Sequence, residues 1–94
     1  MEELDLENIR KQIDSIDSRI IQLLGKRFKL VENVAKYKQL NNIKPLQPKR
    51  WQEVLEKIKK LGLENNLDEA LVSDVWNLIH ENALKKEAKI INNN

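Results

Sequence analysis

From Leu6 to Leu40 the sequence carries an apolar stripe that a single helix can hold but a chain this short cannot cover. Ile9, Ile13, Ile16, Ile20, Leu23, Leu30 and Val34 recur at steps of four, three or their sum, which is the period of an α-helix. Gly25 is the only weak helix former inside the run. Asn41, Asn42 and Pro45 end it. A helix of that length is roughly 50 Å long. A compact globule of 94 residues has a radius of gyration of only about 12 Å. The first helix is therefore expected to protrude, with a stripe that two shorter helices of the same chain cannot easily cover. A second copy is the simplest source of cover, and antiparallel exchange of long helices in a homodimer is the expected form. The competing reading is a break at Gly25 that folds the segment into two pieces.

The rest of the chain also reads as helical. Pro48 suits a first helical turn, and Trp51, Val54, Leu55, Ile58 and Leu61 share a face before Gly62, which is expected to stop the second helix. Asn66 and Glu69 have the spacing of a capping box. Leu71, Val72, Val75, Trp76, Ile79, Ala83, Leu84 and Ile90 continue the stripe beyond them. The reading is all-α, with three helices per chain, a long first helix and an intertwined helical homodimer. It takes residues 1–94 as one domain with its core over about 6–90 and a frayed tail at 92–94.

Composition narrows the chemistry. With no cysteine and His80 as the one histidine, disulfides, thiol nucleophiles and the usual zinc ligand sets are excluded, and neither a metal nor a cofactor is expected. The N-terminus opens with Glu2, Glu3, Asp5 and Glu7, and no stretch approaches 18 apolar residues, so no membrane association is expected and the chain reads as cytoplasmic. The net charge is only +2, but residues 26–50 hold eight basic side chains against Glu32 alone. That local excess favours an anionic partner. Nucleic acid is not expected, because the segment offers only Phe28 and Tyr37 for stacking and matches no binding motif.

Several charged residues fall on apolar faces. Ile20, Leu24, Arg27, Val31, Val34 and Lys38 form a second stripe on the first helix, with Arg27 and Lys38 about three turns apart. Long side chains so placed either snorkel to water along their apolar stems or bracket a small dianion, and as a pair they favour a ligand. On the third helix, Val72, Trp76, Ile79, Ala83, Glu87 and Ile90 put a carboxyl group at an apolar position, unless the last turn is solvated around Lys85, Lys86 and Lys89. Arg10 lies about 25 Å from Arg27 along the helix, too far for one small molecule, so a ligand-binding Arg10 would serve a partner's site. Arg50, alone, reads as a surface arginine at the start of the second helix. Trp51 and Trp76 read as core, His80 as a partly exposed, non-catalytic residue, and Lys44 and Lys49 as contributors to the field only.

Taken together, these residues resemble the all-helical class of chorismate mutases and its relatives, the isochorismate pyruvate lyases. The matching features are Ile9-Arg10 followed by Ile13, Asp14, Ile16 and Asp17, then Leu23-Leu24-Gly25-Lys26-Arg27 and Val34-Ala35-Lys36-Tyr37-Lys38. Pro48-Lys49-Arg50, Gly62, Leu67-Asp68 and Ile79 through Glu87 complete them. Each is short, and their order and spacing over about residues 6–90 make the likeness specific. The resemblance implies an intertwined homodimer with two equivalent sites. In each, Arg27, Arg50 and Arg10 of the partner chain would clamp the two substrate carboxylates, Lys38 would lie beside the ether oxygen, and Glu87 would face that same oxygen. The implied reaction is the rearrangement of chorismate to prephenate, on the route to phenylalanine and tyrosine. Such an intramolecular rearrangement requires no nucleophile, metal or cofactor, only a held conformer and stabilised charge on the departing oxygen.

Three positions depart from the usual mutase pattern. Gln47 stands where an aspartate is frequent, Trp51 where a glutamate commonly follows the arginine, and Ala83 where a serine is common. The missing carboxylates would help hold the hydroxyl of chorismate, and the related lyases also carry an apolar residue after the matching arginine. Isochorismate pyruvate lyase is therefore the alternative activity. A non-catalytic helical dimerisation module, with coiled-coil seams and solvated charges, is the alternative of a different class.

Overall fold

A computed structural model describes residues 5–92. Their helices are α1 (Leu6–Leu40), α2 (Pro48–Glu64) and α3 (Glu69–Asn92), so the fold is all-α with a long first helix. Asp5 starts α1 by accepting from the backbone N–H groups of Glu7 and Asn8 at 3.1 and 3.4 Å, which satisfies two donors of the first turn. The helix passes through Gly25 without a break, contrary to the two-piece reading. No helix among the described residues is long and apolar enough to cross a membrane.

Two helices end in the same way. Asn42 and Asn66 adopt left-handed backbone angles, with φ of 55° and 59°. Beyond them the N–H of Ile43 reaches back to Lys38 O at 2.8 Å, and that of Leu67 to Gly62 O at 2.9 Å. Both are Schellman closures, with asparagine in the place glycine usually takes. Asn41 and Asn65, one residue earlier, each donate Nδ2 to the carbonyl four residues back, at 2.8 Å.

The second closure corrects two expectations. α2 continues to Glu64, and Gly62 lies buried inside it instead of stopping it. Its small size serves packing, since a Cβ built there would stand 2.7 Å from Cγ2 of Val72. The Asn66 to Glu69 capping box is also absent, because Asn66 terminates α2. The first backbone bond of α3 runs from Val72 N to Asp68 O, which makes Asp68 its flanking residue. Of the tail expected to fray, Asn92 belongs to α3, and residues 93 and 94 lie outside the described residues.

The chain divides into two compact units, Met1–Leu30 and Val31–Asn94. Within the first, residues 5–23 are all exposed, including Ile9, Ile13, Ile16, Ile20 and Leu23 of the apolar stripe. Within the second, α2 and α3 form an antiparallel hairpin. Gly62 packs on Val72 near the turn, and Trp51 meets His80 at the far end. The last turns of α1 join α3 through side chains, with Glu32 and Lys86 at 2.9 Å and the Gln39 amide donating to Ile90 O and Ile91 O at 3.2 and 3.4 Å. The buried residues of these two helices are Ala35 and Lys38 on α1, and Val72, Ala83 and Glu87 on α3.

Candidate functional site

The most buried charges in the described chain are a lysine and a glutamate that face each other. Lys38 keeps 9% of its surface and Glu87 only 6%. Each follows a buried alanine by about one turn, Ala35 before Lys38 and Ala83 before Glu87, so small side chains leave room for the two longer ones. Nζ of Lys38 lies 2.7 Å from Oε1 of Glu87 and donates to the carbonyl of Pro45 at 2.6 Å. At 2.7 Å this buried oxygen is paired with the ammonium.

Such a pair is a poor way to gain stability. The cost of removing both ions from water offsets most of their attraction, and apolar replacements are often as stable. A buried ion pair that gains little stability is a candidate for a site, where a fixed ammonium can meet an incoming polar atom.

The other residues singled out by sequence are placed as follows. Arg10 is exposed on the first unit. Arg27, also on that unit, is half-buried, and its Nη1 is enclosed without a hydrogen-bond partner. Gln47 is the N-cap residue of α2 but makes no side-chain capping bond. Arg50, in the first turn of α2, has a side chain 70% exposed with one long contact, 3.9 Å to Glu53. Trp51 is half-buried and Ala83 is buried. Lys38 and Glu87 are thus buried and in contact, and the solvated reading of Glu87 does not hold.

Two features escaped the sequence reading. The Pro45 carbonyl that holds Lys38 is a backbone group, for which no side-chain pattern gives a signal. His80 stacks on Trp51 with ring centroids 3.8 Å apart and planes 5° from parallel. Its spacing, three residues before Ala83 and seven before Glu87, puts it on their face of α3 and is the signal that could have marked it.

The open groove beside Lys38 has a volume of about 380 Å³ and is lined by Gln39, Ile43, Lys44, Pro45 and Ile91 as well as Lys38. It does not reach Arg50, Trp51, Ala83 or Glu87, so it is not the cavity in which the candidate residues converge.

Residues 9–88 match the family described as chorismate mutase type II. The chain is 34% identical over 84 residues to a chorismate mutase of Methanocaldococcus jannaschii, covering 87% of this chain and 85% of that protein. It is 39% identical over 88 residues to a bifunctional chorismate mutase/prephenate dehydratase of Buchnera aphidicola, covering 94% of this chain but 23% of the relative. A protein of the same bifunctional description from Aquifex aeolicus is 41% identical over 60 residues, 64% of this chain and 17% of that one. The chain therefore spans about a quarter or less of the two bifunctional relatives.

Proposed function

The chain belongs to the chorismate mutase type II family, and from that premise we propose that it rearranges chorismate to prephenate. The observation that carries the reading is the buried Lys38 ammonium, anchored at 2.6 Å by Pro45 O and at 2.7 Å by Glu87. In this rearrangement one carbon–oxygen bond breaks as one carbon–carbon bond forms within the same molecule. The ether oxygen gains negative charge on the way. A fixed ammonium at that oxygen is worth most in a site that excludes water, because it stabilises the developing charge without having to reorganise.

Glu87 faces the same oxygen and holds Lys38 in place at 2.7 Å. Arg27, Arg50 and the partner's Arg10 clamp the two carboxylates of the substrate, a task suited to the planar guanidinium fork. Gln47 and Trp51 line the side of the ring that carries the hydroxyl, and Ala83 offers only backbone groups to the substrate. The stripe from Ile9 to Leu23, exposed in the single chain, supports a homodimer, since its cover by a second copy would also carry Arg10 to the partner's site.

The test is to incubate the protein separately with chorismate and with isochorismate and identify the products. Prephenate from chorismate is the expected result. Pyruvate and salicylate from isochorismate, with no prephenate from chorismate, would establish the lyase reading that Trp51 leaves open. No product from either, together with unchanged assembly after Arg27 and Lys38 are both replaced by leucine, would leave a dimerisation module.

A further inference from the structure

His80 is one residue that the proposed chemistry does not use, yet it lies on the face of α3 that carries Ala83 and Glu87. It stacks in parallel on Trp51, at 3.8 Å and 5°. Trp51 directly follows Arg50, so the ring contact joins the first turn of α2 to the Glu87 face of α3. That turn has few other restraints. Its N-cap residue makes no side-chain capping bond, its first turn has no acidic residue, Pro48 and Lys49 are exposed, and Arg50 has only the long contact to Glu53. The Gly62 to Val72 contact secures the opposite end of the hairpin, about three turns away along α2.

We infer that His80 is a positioning residue, whose stack on Trp51 sets the rotation and place of the start of α2 and thereby aims Arg50 at a substrate carboxylate. The inference rests on the mutase reading above. A flat aromatic contact suits the task because two rings in face contact resist tilting against each other, which a single aliphatic contact does not. The same stack keeps the indole as a flat apolar wall beside Arg50, where an acidic residue would instead attract the hydroxyl of the substrate. His80 itself touches neither substrate nor reacting atoms in this scheme.

Steady-state kinetics on chorismate separates this role from a merely structural one. In this scheme Arg50 binds a substrate carboxylate and does not act on the breaking bond, so misaiming it shows chiefly in KM, whereas Lys38 and Glu87 act on the reacting bond and set kcat. His80→Ala is expected to raise KM about tenfold, the upper end of what a stacked aromatic pair contributes, with kcat within about twofold of wild type. His80→Phe, which keeps a flat ring, should restore KM. Adding His80→Ala to Trp51→Leu should raise KM no further than Trp51→Leu alone, because the partner of the stack is already gone. Circular dichroism and thermal unfolding establish that each variant is folded at the assay temperature. A folded His80→Ala protein with unchanged KM, or one whose kcat falls while KM stays, would overturn the inference. A His80→Phe protein as impaired as His80→Ala would do so too. An unfolded His80→Ala protein leaves His80→Phe and His80→Leu as the deciding pair, which must then differ in KM. Wild-type protein that makes no prephenate would sink the mutase reading itself, a result separate from any of these.

Discussion

Residues 6–23 and residues 35–38 belong to one helix and follow one apolar period, yet they differ in surroundings. In the first stretch the whole stripe lies open, with Ile16 57% exposed. In the second, Ala35 has no exposed surface and Lys38 is buried against α3. Sequence periodicity is blind to this difference, because a helical stripe records that a face must be covered but not what covers it. In the first stretch no described part of the single chain covers the apolar residues, whereas in the second the chain supplies both a counter-ion and a carbonyl for the buried charge. Under the proposed reading the first region serves assembly and the second serves chemistry.

The largest expected effect tests the second region. Lys38→Ala should lower kcat by about 10²- to 10³-fold, the loss typical when one preorganised donor to a developing anion is removed. It should also destabilise the protein by about 3–5 kcal/mol, since Glu87 is left buried and unpaired. Replacing both Lys38 and Glu87 by leucine should recover most of that stability while activity stays lost. Glu87→Gln should keep activity within a modest factor, because the amide oxygen can still accept from Lys38 while its N–H groups can donate to the ether oxygen. Turnover and denaturant unfolding of the four proteins check these outcomes, and a double leucine variant with wild-type turnover would remove the ion pair from the chemistry altogether.

Assembly comes next. Arg10→Ala and Arg27→Ala should each be inactive alone, but mixed and refolded in equal amounts they should recover about one quarter of the wild-type rate. Random pairing makes half of the dimers mixed, and one of the two sites in a mixed dimer is intact. Capture of the untagged variant through an affinity tag placed on the other confirms that mixed dimers form. If they form without activity, the partner's Arg10 is not part of the site, and the open stripe serves assembly alone.

The two glycines give the smallest and most local contrast. Gly62→Ala would drive a methyl group to within 2.7 Å of Val72 Cγ2 inside the hairpin, and overpacking of this kind should cost about 1–3 kcal/mol. Gly25→Ala meets nothing within 4 Å in the single chain and should stabilise the helix by up to about 1 kcal/mol. Thermal unfolding of the two variants reads both signs. A destabilising Gly25→Ala would reveal that a second copy packs on that very position, which would sharpen the division between the two regions.

Much of the fold is legible in the amino-acid order. The three helices, the passage through Gly25, the start at Pro48 and the stop at Asn41 and Asn42 follow from period and local backbone preference, which act over a few residues. Gly62 and Asn66 were misread for a related reason. Glycine after an apolar face resembles a helix stop, and an asparagine three residues before a glutamate resembles a cap, but Val72 and the left-handed turn decide otherwise. Apart from the family resemblance, the candidate site is legible as misplaced charges. Lys38 and Glu87 stand out because polar groups seldom occupy apolar positions, while Arg50 and Gln47 carry no such mark, being exposed residues at a helix start.

By itself, then, the sequence determined the helices, the need to cover the long stripe, and the segment of positive charge suited to an anionic ligand. These depend on intervals of three and four residues and on local charge density, which any reading of the order contains. The tertiary structure decided that Lys38 meets Glu87 and the Pro45 carbonyl, that His80 lies on Trp51, and that Gly62 is a packing site. Each of these joins groups from different elements at distances of a few ångströms, and so depends on how one helix is turned and seated against another, a quantity that no single helix's period contains.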